Sequence, residues 1–199
     1  YRSIKHNPRF AVTRMSAAEE RFDISQQTQY AAETFQLPDG TLLVAFRGTD
    51  DSLIGWKEDF NMAFQYPVPA QRSASAYLDM VARLWEGPII LVGHSKGGNL
   101  AIYAAMNADP KVRKRIQHVY SLDGPGFPPE IVTSPAYRTI QPKVTKIVPS
   151  SSIVGMILDS PEHCVVVKSN ESLPIRMASC SIPPSPGYWM VTSSSPSRI

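Results

Sequence analysis

The stretch that most constrains this 199-residue chain runs from Pro88 to Ala108. Ile89-Ile90-Leu91-Val92 lead directly into Gly93-His94-Ser95-Lys96-Gly97-Gly98, and an Ala-rich apolar segment, Asn99–Ala108, follows without a break. The first run reads as a short buried strand and the last as a helix. A strand can turn this sharply into a helix only where small residues let the two elements approach, and Gly93 and Gly97 stand at those places. Ser95 is thereby set at the apex of the turn with its hydroxyl projecting, beside a helix N-terminus whose N–H groups favour negative charge. The Gly-x-Ser-x-Gly spacing in this context makes Ser95 a candidate nucleophile.

The flanking pattern predicts a layered α/β fold. Gln29–Gln36 and Thr41–Arg47 read as strands joined by a Pro38-Asp39-Gly40 turn, and the run Leu42–Phe46 suits a strand buried on both faces. Helices are expected over Leu53–Phe64, Ser73–Trp85 and Pro110–Ile116, and strands over His118–Leu122, Val144–Val148 and Cys164–Lys168. Strand and helix alternate, which is the signature of helices packed on a mostly parallel sheet.

Composition narrows the alternatives. With 43% hydrophobic and 19% charged residues, the chain is neither disordered nor a coiled coil. No apolar run is long enough to span a bilayer. The net charge of +3 is mild, and its tightest basic cluster, Lys111, Arg113, Lys114 and Arg115, suits the end of a helix better than a nucleic-acid surface. Cys164 and Cys180 form neither a disulfide framework nor a zinc site, and no metal or organic cofactor is called for. The chain opens at Tyr1 with no signal-like segment, which reads as a domain lacking its N-terminal portion and located in the cytoplasm. From Glu171 to Ile199 eight serines and five prolines replace any hydrophobic period, so the expected organisation is one domain over 1–170 and an irregular tail over 171–199.

Further motifs join the turn around Ser95. Ala45-Phe46-Arg47-Gly48-Thr49-Asp50-Asp51, Gly55-Trp56-Lys57-Glu58-Asp59-Phe60 and Gly93–Ala101 together resemble the class 3 (fungal-type) lipase branch of the α/β hydrolases. Their wording is closer still to a lipase-like bacterial family of unknown function, frequent in Firmicutes. The resemblance continues through Val119–Phe127, Lys146–Pro149 and Ser151–Met156, and ends near Asn170. It implies an α/β-hydrolase fold and a serine hydrolase acting on an acyl ester or lipid through an acyl-enzyme on Ser95.

Roles transfer residue by residue. Thr49 matches the first oxyanion loop, and the Lys96 backbone N–H would be the second donor. The Lys96 side chain, where class 3 lipases carry an apolar residue, either meets an anionic substrate group or extends to water. Asp59 matches a residue that braces the oxyanion loop, or is a surface helix carboxylate. In the family the acid falls where this chain has Ser152. Asp123, at the end of the His118–Leu122 strand, is the candidate acid instead, with Asp159 behind it.

The base is the gap. His163 follows Asp123 in chain order and is the candidate, although it stands where its strand begins. His6, His94 and His118 all precede the acid. The family continues past this strand into a histidine-bearing loop, and codons permitted for Met177–Val191, read with a two-nucleotide slip, allow such a sequence. A frameshift between Ser169 and Met177 is therefore expected to account for the tail. The alternative function is a hydrolase-fold protein without its base, acting as a binding module or as a non-functional product.

Overall fold

The structure, a computed structural model, describes residues 7–23, 28–48, 66–150, 152 and 154–168. Seven strands lie side by side in chain order. β1 (Arg14–Asp23), β2 (Thr28–Gln36) and β3 (Leu42–Phe46) pair antiparallel. β4 (Ile89–His94), β5 (Ile116–Leu122), β6 (Val144–Pro149) and β7 (His163–Val167) then add parallel to β3 and to one another. The β2–β3 turn forms as its residues dictate. Gly40 takes φ 83°, and Asp39 Oδ1 accepts the Thr41 N–H at 2.9 Å.

Five helices occur among the described residues: α1 (Pro69–Arg83), α2 (Lys96–Asn107), α3 (Pro110–Arg115), α4 (Pro129–Val132) and α5 (Pro135–Ile140). α1 begins four residues before the expected Ser73. Pro69 suits a first helical position, and Gln71 Oε1 accepts the Val68 N–H at 2.9 Å. Its Ala70, Ala74, Tyr77, Leu78 and Val81 make one buried stripe. α2 is buried from Lys96 to Met106, between the sheet, α1 and α5. Burial of Leu100 or Ile102 there contributes about 1.5–3 kcal/mol each.

In α3 the Asp109 carboxylate accepts the Lys111 N–H, and the basic residues fall in the last turn, where the helix dipole favours them. Two of them are engaged. Arg113 donates to the Ala108 carbonyl at 2.9 Å, and Arg115 to those of Ala82 and Trp85.

The sheet corrects one expectation. Leu42, Val44 and Phe46 are fully buried, whereas Leu43 and Ala45 are only half-buried. β4 and β6 alternate in the same way. Among the described residues the helices cover one face, because strands added in chain order by one-handed crossovers put their helices on the same side. The expected helix over Leu53–Phe64 and the tail from Glu171 lie outside the described residues. No helix among the described residues is long and apolar enough to cross a membrane.

Candidate active site

The C-terminal ends of the parallel strands share one edge, where ligands bind in open α/β sheets. Ser95 lies there, one residue past β4, with φ 54° and ψ −128°. A serine in this region costs of order 1–3 kcal/mol and persists only when its surroundings enforce it. They do so from both sides: Ser95 N–H donates to the Leu122 carbonyl at 2.8 Å, and Ser95 C=O accepts from Gly98 N–H at 2.9 Å. The glycines are obligatory. A Cβ on Gly93 would stand 2.0 Å from the Gly97 carbonyl oxygen, and one on Gly97 would stand 2.1 Å from that of Phe46.

Asp123 leaves β5 on the adjoining strand, also at positive φ (52°), with its N–H on the Ile147 carbonyl at 2.8 Å. Its loop touches that of Ser95: a Cβ on Gly124 would lie 3.0 Å from the Ser95 carbonyl oxygen. The Asp123 carboxylate accepts the Gly155 N–H at 3.1 Å and the Ser152 hydroxyl. Ser152 holds the position at which the resemblance expects an acid. The turn after β5 and the loop after β6 therefore meet at one carboxylate, carried by the earlier strand. Asp159 is exposed, and its backbone pairs with that of Phe127.

The Lys96 side chain does not extend to water. It is 1% exposed, and Nζ donates to the Gln29 carbonyl of β2 at 2.8 Å. The backbone of Lys96 opens α2 next to Ser95, as an oxyanion donor requires.

A buried relay not anticipated from the sequence steadies the loop after Asp123. Gln71 Nε2 donates to Asn99 Oδ1 at 2.8 Å, and Asn99 Nδ2 donates to the carbonyls of Gly126 at 2.8 Å and Pro125 at 3.3 Å. Its one sequence cue is the polar Asn99 heading an otherwise apolar helix.

The structure does not bring His163 to Ser95. His163 opens β7 level with Thr145, at the opposite edge of the sheet from Ser95. From the strand registers it is displaced about 10 Å along the strands and about 14 Å across them. Starting a parallel strand puts a residue at the N-terminal edge, so no rotamer brings this ring to Ser95. His118 lies on β5, with Nε2 2.8 Å from Thr145 Oγ1, and burial lowers its pKa. His94 is exposed and adjoins Ser95 in β4. Thr49, Asp59 and His6 lie outside the described residues.

A mostly parallel seven-stranded sheet with helices packed on it, and a serine at a strained strand-to-helix turn on its C-terminal edge, define an α/β-hydrolase fold. A fungal lipase, solved in complex with an inhibitor to describe interfacial activation, shares that fold. It superimposes with TM-score 0.54 at 17% identity, over 71% of this chain and 59% of its own. The chain thus spans about three-fifths of that lipase's length. A triacylglycerol lipase from Penicillium expansum matches at TM-score 0.48 and 12% identity, over 78% of this chain and 70% of that one. No curated protein sequence matches the chain. Residues 4–179 match the Mbeg1-like family, and the chain belongs to it.

Proposed function

We propose that this protein is a serine hydrolase of the lipase and esterase type, cleaving carboxylic esters through an acyl-enzyme on Ser95. The observation that carries the reading is the strained Ser95 apex with the Asp123 carboxylate on the adjoining strand end. Ser95 Oγ attacks the acyl carbonyl, and its proton passes to a base. Negative charge on the tetrahedral oxygen falls to the backbone N–H groups of Lys96 and Thr49. The alcohol leaves with a proton, and water then releases the acid from the ester on Ser95. Asp123 orients the base and stabilises its positive charge. The fungal lipase likeness supports an ester or lipid substrate. Turnover of p-nitrophenyl acetate and butyrate that vanishes in Ser95→Ala is the expected result. Equal turnover in both proteins contradicts the assignment.

The position of His163 favours a second reading, a hydrolase-fold protein that binds esters but lacks the base. The chain has four histidines, and none follows β7, whose downstream loop is where the hydrolase order places the base. On this reading the folded protein is inert toward both esters, and the gene shows an insertion or deletion between the codons of Ser169 and Met177. An intact gene with efficient turnover excludes it.

A further inference from the structure

Lys146 is a buried charge that the chemistry at Ser95 does not call for. It stands on the buried face of β6 between Val144 and Val148 and is 2% exposed. An apolar residue there would carry no desolvation cost. The charge is met instead by groups from the connection between β6 and β7. Nζ donates to the Ser160 hydroxyl, and Glu162, 6% exposed, stands nearby with Oε2 accepting the Tyr137 hydroxyl of α5. Burial lowers the Lys146 pKa, and the charges of Glu162, Cys164 and Asp123 oppose that shift, so the ammonium lies within electrostatic reach of Asp123.

The connection itself has little else to fix it. Parallel strands are usually joined through a helix, which packs on the sheet. Among the described residues the path from β6 to β7 has one 3-10 turn, Val154–Met156, and its Met156 and Ile157 are exposed. Discrete polar contacts hold it. Gly126 N–H donates to the Ile157 carbonyl at 2.8 Å, and Phe127 and Asp159 exchange backbone hydrogen bonds at 2.9 and 3.1 Å. Gln141 Nε2 donates to the Pro161 carbonyl at 2.9 Å. Ser160 also presses on Gly126, where a Cβ would lie 2.7 Å from its Oγ. The same segment supplies Gly155, whose N–H reaches the Asp123 carboxylate at 3.1 Å. A line of contacts thus runs from Lys146 through Ser160 and the paired backbones of 126–127 and 157–159 to the turn that carries Asp123.

We infer that Lys146 is a positioning residue for Asp123: through Ser160 it fixes the 154–160 segment, and with it the Gly155 N–H, against the carboxylate. Glu162 balances the charge that this tie places inside the protein. The inference rests on the hydrolase reading of Asp123, and its test follows the backbone separately from turnover.

Hydrogen exchange of single amides is measured by NMR, with ester turnover alongside. Lys146→Met combined with Glu162→Gln removes both charges together, so that neither is left buried alone, and keeps an acceptor for Tyr137. The urea midpoint of this variant stays close to that of the unaltered protein. Its Gly126, Phe127, Gly155 and Asp159 amides exchange about tenfold faster, as loss of one hydrogen bond implies. The amides of Leu91 and Val92 in β4 keep their rates. Ser160→Ala, which leaves both charges in place, accelerates the same amides. In both variants kcat for p-nitrophenyl butyrate falls about tenfold while KM holds, because a misplaced acid weakens only the transition state. Unchanged exchange in the two folded variants overturns the inference, as does faster exchange with unaltered kcat. If exchange accelerates as stated while the unaltered protein cleaves no ester, the tie from Lys146 stands and the hydrolase reading fails.

Discussion

At Ser95 the local backbone and the chemistry are the same fact. The strained φ of 54° places Ser95 at the apex, and it survives because the Ser95 backbone is held on both sides and Gly93 and Gly97 permit the close approach. Gly97→Ala would drive a methyl into the Phe46 carbonyl, so an overpacking loss of about 1–3 kcal/mol is expected in urea denaturation, together with loss of Ser95 reactivity. An unchanged midpoint would show that the turn is less tightly packed. His163→Ala, by contrast, should leave ester turnover within about twofold, as for a surface substitution far from the site. A loss of tenfold or more would return that ring to the chemistry. The glycine and serine spacing is readable in the sequence because it reports local backbone demands. The fate of the Lys96 ammonium is not, since its acceptor lies 67 positions away and only the pairing of β2 brings it near.

Elements with a strong hydrophobic period were legible to within a few residues, as α2 and β4 to β7 illustrate. β1 was not, because Arg14–Asp23 is an edge strand rich in charge and has no apolar alternation to reveal it. The short α4 and α5 were likewise missed, being only four and six residues long. The link between elements that matters most is also non-local. Gln71 of α1 and Asn99 of α2 together hold the loop after Asp123. Asn99→Leu leaves the Gln71 amide and the Gly126 carbonyl without these partners, and a loss of about 1–3 kcal/mol is expected for each buried group left unsatisfied. If Asp123 orients the base, ester turnover falls further than the loss of folded protein explains. Turnover that simply tracks the folded fraction would reduce Asn99 to a packing role.

Across the whole molecule, burial of phenols sets the response to alkali. Tyr30, Tyr66 and Tyr137 all have pKa values raised well above the usual tyrosine range, chiefly by desolvation, with the neighbouring charges of Glu19 and Glu162 adding at Tyr30 and Tyr137. In the unfolded chain these groups ionise near pH 10. Their contribution to stability is therefore complete below that pH and is lost as pH rises through the higher folded values. Urea midpoints should fall between about pH 9.5 and 11.5. Tyr30 Oη has no hydrogen-bond partner among the described residues, so Tyr30→Phe should be neutral or stabilising at pH 7 and should make that decline shallower. An equally steep decline, or a loss of stability at pH 7, would show that the hydroxyl is satisfied.

The alternation of strands and helices made the α/β class readable before any geometry. The one-sided helical cover among the described residues was not, because a run such as Leu42–Phe46 looks alike whether one face or both are covered. The central claim is that this fold presents Ser95 as an activated nucleophile, and covalent labelling tests it most directly. The folded protein is incubated with a fluorophosphonate, digested and mapped by mass spectrometry beside Ser95→Ala. The account predicts a single adduct on the peptide bearing Ser95, formed rapidly and absent from the variant. A folded protein that forms no adduct, or forms it on another residue, would contradict the account.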